Sequence, residues 1–242
     1  MSRADDDTPA ETTHGRSVAS ALRALDEDAT RTVNLTRRAD APSLDTPSLV
    51  SLARAIARAE CVVTVNLSGQ RLDVAACHAL SHAAADGASF RVLDCGDCGI
   101  GDVGAAELAE VIILNARLER LYAPANGIGR DGADAVAACA SARPGPRLRT
   151  LDISDNEELG DAGAILFADV CRPEMAPSEL RLAACGVGDA GARALAETFL
   201  PSRKNDPTSA LILERNPRIS AAARLEVATA AREAGVKLTI FS

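Results

Sequence analysis

The chain contains no tryptophan, one tyrosine and four phenylalanines among its 242 residues. A core without large rings must be filled by Leu, Val, Ile and Ala, and small side chains let neighbouring backbones pack closely. Lysine is almost absent as well, occurring only at Lys204 and Lys237, so the positive charge is nearly all arginine. The net charge of −8 argues against nucleic acid as the primary partner, because phosphate binding needs a concentrated positive field. No apolar run reaches the roughly 18–20 residues that span a bilayer, so no membrane contact is expected. Asp5, Asp6 and Asp7 stand where a signal or transit peptide would be basic. The seven cysteines form no framework of spaced pairs, which points to free thiols in a reducing compartment. A cytoplasmic setting is expected, the cytoskeleton or a cilium included.

What the sequence has in abundance is repetition. Four segments align: FRVLDCGDCGIGDVGAAELA from Phe90, LERLYAPANGIGRDGADAVA from Leu118, LRTLDISDNEELGDAGAILFA from Leu148 and SELRLAACGVGDAGARALA from Ser178. Each holds an apolar-x-apolar strand core, an Asn or Cys at the turn, an apolar residue, Gly and an Ala-rich amphipathic run. Weaker copies begin at Val62 and Ala210, and degenerate ends lie at Thr32–Leu35 and Lys237–Phe241. The strand positions Val33, Val65, Leu93, Leu121, Leu151, Leu180, Leu211 and Leu238 recur at intervals of 27 to 32 residues.

This period and the L-x-x-L-x-L-x-x-N/C-x-L pattern resemble the ribonuclease-inhibitor-like class of leucine-rich repeats. The resemblance covers about residues 30–242 and implies an α/β solenoid: a curved array with a parallel concave sheet and convex helices. The residues support it independently. Alternation puts Leu93 with Cys95, Leu121 with Ala123, Leu151 with Ile153 and Leu180 with Leu182 on one strand face. Asn126, Asn156 and Asn216, or Cys98 and Cys185, are placed to bond backbone groups where the chain leaves the sheet. Asp102, Asp161 and Asp189 fall at helix N-cap positions. One such unit cannot bury its own apolar face, so the units must stack. Residues 1–29 read as an acidic flexible tail followed by a capping helix over 17–28, with Val18, Leu22 and Leu25 on its inner face. Residues 30–242 read as about seven repeats plus a terminal strand.

Several strings look like chemistry. Three match G-x-G-x-x-G, at Gly99, Gly127 and Gly186. A nucleotide fold would carry one such turn, so their repetition makes them turn glycines, and no cofactor is expected. Cys95-x-x-Cys98 has no second pair to complete a zinc site, and His78 and His82, four apart on a helix, fall on its solvated side; no metal is expected. No catalytic constellation can be assembled, and the chain is expected not to be an enzyme.

Binding is then the remaining class of function. On the concave sheet the outward positions read Asn34, Asn66, Asp94, Tyr122, Asp152, Arg181, Ile212 and Thr239, with Asp97, Asp155 and Arg215 nearby. Tyrosine among charged residues is a common hot-spot composition. A second candidate is the rim formed by 141–147, 171–178 and 200–208, with Arg143, Arg147, Arg172, Arg203 and Lys204. A third is the C-terminal edge at Phe241, where a partner would cap the last strand. The expected function is a non-enzymatic protein–protein interaction module, such as a subunit of a ciliary or other large assembly. Length leaves no room for an effector domain in this reading. The resemblance also admits regulation of a small GTPase, since proteins that activate the Ran GTPase share this repeat type.

Overall fold

The computed structural model describes residues 13–14, 18–27, 30–37, 42–88, 90–170, 175–204 and 206–241. Strands and helices alternate along the chain. The strands are β1 (Thr13–His14), β2 (Thr32–Asn34), β3 (Thr64–Asn66), β4 (Val92–Asp94), β5 (Arg120–Tyr122), β6 (Thr150–Asp152), β7 (Glu179–Arg181), β8 (Ala210–Ile212) and β9 (Lys237–Thr239). The helices are α1 (Val18–Asp26), α2 (Thr46–Arg58), α3 (Val74–Ala85), α4 (Gly101–Leu114), α5 (Arg130–Ala142), α6 (Gly160–Val170), α7 (Asp189–Ser202) and α8 (Ala221–Ala234).

All nine strands form one open parallel sheet in sequence order. The register aligns Val33, Val65, Leu93, Leu121, Leu151, Leu180, Leu211 and Leu238 in a single row, the positions read from the repeat. That row from Val33 to Leu211, and the next inward one, which includes Cys95, Ala123, Ile153, Leu182 and Leu213, are buried against the helices, and Leu238 at the end of the first is partly covered. From α4 come Ala105, Leu108, Ala109 and Ile112, and from α7 Ala192, Leu195 and Phe199, all buried. The capping helix packs Ala21 and Leu25 into this core, with Val18 and Leu22 partly covered. The tail reading changes at two residues: Thr13 and His14 pair with Val33 and Asn34 and add a strand ahead of β2. The expected flexibility of residues 1–12, 15 and 16 lies outside the described residues.

Polar side chains complete the stacking. Asn126 accepts from the Cys98 amide at 2.9 Å and donates to the Cys95 carbonyl at 2.9 Å, one repeat back. Asn156 does the same for Asn126 and Ala123, and Asn216 for Cys185 and Leu182. Cys98 and Cys185 stand at equivalent positions but supply only a thiol donor, to Leu67 and Ile153 carbonyls. In the irregular first repeat, Gln70 takes the bridging role: it donates to the Leu35 carbonyl and accepts from the Leu44 amide at 2.9 Å. These bonds satisfy interior backbone groups that would otherwise be costly to bury.

The helix caps differ from the sequence reading. Asp102 does not cap its own helix. Its carboxylate accepts from the Gly129 amide at 2.7 Å and the Gly132 amide at 3.0 Å, at the start of α5. Asp161 likewise accepts from Gly188 at 2.7 Å and Gly191 at 2.9 Å, at the start of α7. Asp189 reaches the Ser220 amide, at 2.6 Å, ahead of α8. In these three repeats the anion that a helix N-terminus attracts therefore comes from the repeat before it, whereas Asp45 and Asp73 cap their own helices, α2 and α3. This also accounts for glycine at two of these positions. A Cβ at Gly132 would stand 2.7 Å from Asp102 Oδ1, and one at Gly191 2.9 Å from Asp161 Oδ1.

Candidate functional site

Side chains at alternate strand positions face away from the helices, and the parallel register assembles them into two rows. One row holds Asn34, Asn66, Asp94, Tyr122, Asp152, Arg181, Ile212 and Thr239, each paired with the next. The other holds Thr32, Thr64, Val92, Arg120, Thr150, Glu179, Ala210 and Lys237, aligned in the same way. Adjacent strands lie about 4.8 Å apart, so residues of neighbouring repeats touch along the rows.

Most charges on this face already hold one another. Asp94 accepts from Ser68 Oγ at 2.7 Å and Asn66 Nδ2 at 3.2 Å. Asp152 is largely buried and accepts from the Ser154 amide at 3.0 Å. Arg181 donates to Glu179 at 2.7 Å and lies 3.8 Å from Asp152. Thr150 donates to the other oxygen of Glu179. At the edge where the strands end, Arg215 grips Asp155 with two bonds of 2.8 and 3.1 Å, reaching past the intervening repeat. Arg215 and Asp155 both adopt left-handed backbone, as do Asp97, Ala125 and Ala184.

At the opposite edge the loops expected to lie side by side are joined. Arg147 donates to Asp206, two repeats on, and to Ser178 Oγ between them at 3.2 Å. Arg91 and Arg149 share Glu119, at 2.9 and 3.3 Å. Two rim arginines are not exposed, contrary to the sequence reading. Arg143 is 3% exposed and donates to the carbonyls of Ile112, Ala116 and Leu118. Ile112 lies in the last turn of α4, where the helix presents unpaired carbonyls and partial negative charge. Burial holds the Arg143 guanidinium below its usual pKa. Arg203 is 1% exposed and donates to the Ala176 carbonyl at 3.2 Å. Both are internal fasteners between repeats. Lys204 is exposed, Phe241 is 67% exposed, and Arg172 lies outside the described residues.

Between the two outer rows and this edge lies a hollow of ≈ 580 Å³, lined by Arg120, Tyr122, Arg147, Arg149, Thr150, Ser178, Glu179 and Thr208. It gathers Tyr122 and Arg147 from the sequence candidates and leaves Arg215 and Phe241 elsewhere. Arg120, Arg149 and Glu179 were missed by the sequence reading. Period-2 alternation would have found Arg120, which precedes Tyr122 by two on the same strand face.

The chemistry-like motifs are absorbed by the framework. In two of the three glycine strings, the helix N-terminus that a nucleotide phosphate would use is filled by Asp102 or Asp161. Cys95 and Cys98 are buried, and burial pushes the Cys98 thiol up to about 12. His78 and His82 are exposed on α3 with ring centroids 4.4 Å apart. Glu107 lies 2.8 Å from His78 Nδ1. Among the described residues no group of three or more His, Cys, Asp or Glu side chains is placed to hold a metal ion.

Residues 88–109, 147–168 and 178–196 match the leucine-rich-repeat family model. The chain is a leucine-rich-repeat protein. The three matched segments each contain a strand, its turn and the start of a helix, the unit described above. No curated protein matches this leucine-rich-repeat chain in sequence. Among solved structures, it is similar to a chain of the yeast Rad7–Elc1 complex, with a TM-score of 0.52 and 12% identity over 82% of this chain and 60% of that one. It is also similar to the Caenorhabditis elegans tropomodulin C-terminal domain, with a TM-score of 0.46 and 13% identity over 78% of this chain and 93% of that one. Actin-binding site 2 of leiomodin-1 gives a TM-score of 0.48 and 15% identity over 55% of this chain and 77% of that one. At these identities the shared property is the fold. No helix among the described residues is long and apolar enough to cross a membrane.

Proposed function

We propose that this leucine-rich-repeat chain is a non-enzymatic protein-interaction module that receives its partner on the outer face of the sheet, centred on Tyr122. The observation that carries this reading is the hollow beside Tyr122, where two in-register rows of side chains that the helix packing does not use meet the joined edge loops. Interior polar groups such as Asn126, Arg143 and Arg203 are committed to backbone carbonyls and amides. The outer rows are the surface free to vary without loosening the stack. Tyrosine and arginine are the residue types that most often dominate binding energy. The exposed apolar residues on the helix side, Val74, Val103, Leu114 and Leu225, are scattered over α3, both ends of α4, and α8. A ciliary assembly and action on the Ran GTPase have no described residue in their favour.

The test is a paired substitution series against the partner recovered with the native chain. Tyr122→Asp should abolish binding, while Val103→Glu and Leu225→Glu on the helix side should leave it within two-fold. The reverse pattern would move the binding surface to the helices.

A further inference from the structure

We infer that the hollow beside Tyr122 receives a single carboxylate from an acidic residue of the partner protein, seated against the Arg120 guanidinium. This rests on the sheet-face reading above and adds the chemistry of the contact. Arg120, Arg147, Arg149 and Glu179 line the hollow, and the ion pairs of its rim bring in Arg91, Arg181 and the carboxylates Glu119, Asp152 and Asp206. Four of the arginines hold those carboxylates, with Glu119 shared by two. The Arg120 guanidinium makes no hydrogen bond or ion pair among the described residues. The guanidinium in the lining of the hollow that holds no carboxylate is therefore that of Arg120, and this is the surplus a ligand would meet.

That surplus distinguishes between anions. A phosphate monoester brings close to two negative charges and three strong acceptors, and a second guanidinium would have to leave its present carboxylate to match it. A carboxylate brings one charge and the two oxygens that a guanidinium fork engages in parallel. Tyr122 lies two residues along β5 from Arg120 on the same face, and its hydroxyl has no hydrogen-bond partner among the described residues. The hydroxyl can donate to the carboxylate, and the ring offers apolar surface to the stem of the acidic side chain. The net charge of −8 opposes a polyanionic segment, so the contact suits one acidic residue in a segment of low charge.

The chain's composition provides the readout, since Tyr122 is its only tyrosine and it has no tryptophan. The full chain is titrated with glutamate blocked at both termini, with blocked glutamine and with inorganic phosphate. Tyr122 emission and the NMR signal of the Arg120 Nε–H are followed. Blocked glutamate should give a saturable change in both, with a dissociation constant on the order of millimolar. Arg120→Gln should weaken it at least five-fold, and Arg120→Lys, which keeps the charge and loses the fork, should weaken it by less; melting by circular dichroism verifies that both variants fold. Equal binding of blocked glutamine, tighter binding of phosphate, or an Arg120→Gln chain that binds like the native one would overturn the proposal. If partner binding is lost in Tyr122→Asp while Arg120→Gln leaves both partner and glutamate binding unchanged, the sheet face stands and the carboxylate falls.

Discussion

Replacing Asp102 by Ala should loosen the start of α5 and leave the start of α4 intact, although Asp102 belongs to α4. The carboxylate accepts from the amides of Gly129 and Gly132, which cap and begin α5. Losing an N-cap acceptor costs about 0.5–2 kcal/mol, and losing a negative charge at a helix N-terminus costs about 0.3–1 kcal/mol more. The sum is about 1–3 kcal/mol, or roughly 2–4 °C in melting temperature per kcal/mol for a domain of this size. Because stacked repeats depend mainly on their neighbours, the damage should stay local at first. Amide hydrogen exchange reads this directly: Gly132 and Ala133 should lose protection, while Gly104 and Ala105 at the start of α4 should keep it. Loss at Gly104 with Gly132 unchanged would show that Asp102 caps its own helix and would refute the linkage between repeats.

Three further predictions follow from the same framework. Arg143→Met should destabilise the chain by about 3–5 kcal/mol in urea titration, because three carbonyls near the end of α4 lose a buried charged donor; a loss under 1 kcal/mol would return Arg143 to the surface. Ala125→Gly, at φ 56°, should stabilise by up to about 1 kcal/mol, since left-handed backbone costs a residue with a Cβ more than it costs glycine. Burial raises the Cys77, Cys98 and Cys185 thiols to about 12 from an ordinary 9, so stability is fully present below pH 9 and is lost as pH rises toward the folded values. Each thiol should remove about 1.4 kcal/mol per pH unit above 9, and Cys98→Ala should flatten the alkaline slope by that amount.

The repeat, strand register and inward Leu row were legible because backbone periodicity and burial impose them directly on residue type. The Asn positions were legible for a related reason: a side-chain amide donates and accepts at once, which the turn requires and few residues offer. Direction was harder to read. Asp102 in the first turn of α4 satisfies the pattern of a cap, and only the spacing between stacked helices shows that it reaches the next N-terminus. Arg143 and Arg203 sit in proline-bearing connections that look like solvent-exposed loops, yet backbone carbonyls draw the guanidinium inward, those near the end of α4 for Arg143 and that of Ala176 for Arg203. Asn115, 28 residues before Arg143, donates to the Phe90 carbonyl from the corresponding place, and that recurrence was the available signal. For the candidate site, Tyr122 and Arg147 were readable as exposed hot-spot residue types. Arg120 became conspicuous only once pairing had neutralised its neighbours.

The most direct test of the sheet face as the recognition surface is site-specific photo-crosslinking in the cells that express the chain. A photoreactive phenylalanine analogue at position 122, on the sheet side, is compared with the same group at position 103, on α4. A single protein joined in high yield from position 122, and absent from position 103, is the predicted result. Equal or greater yield of that protein from position 103 would contradict the account.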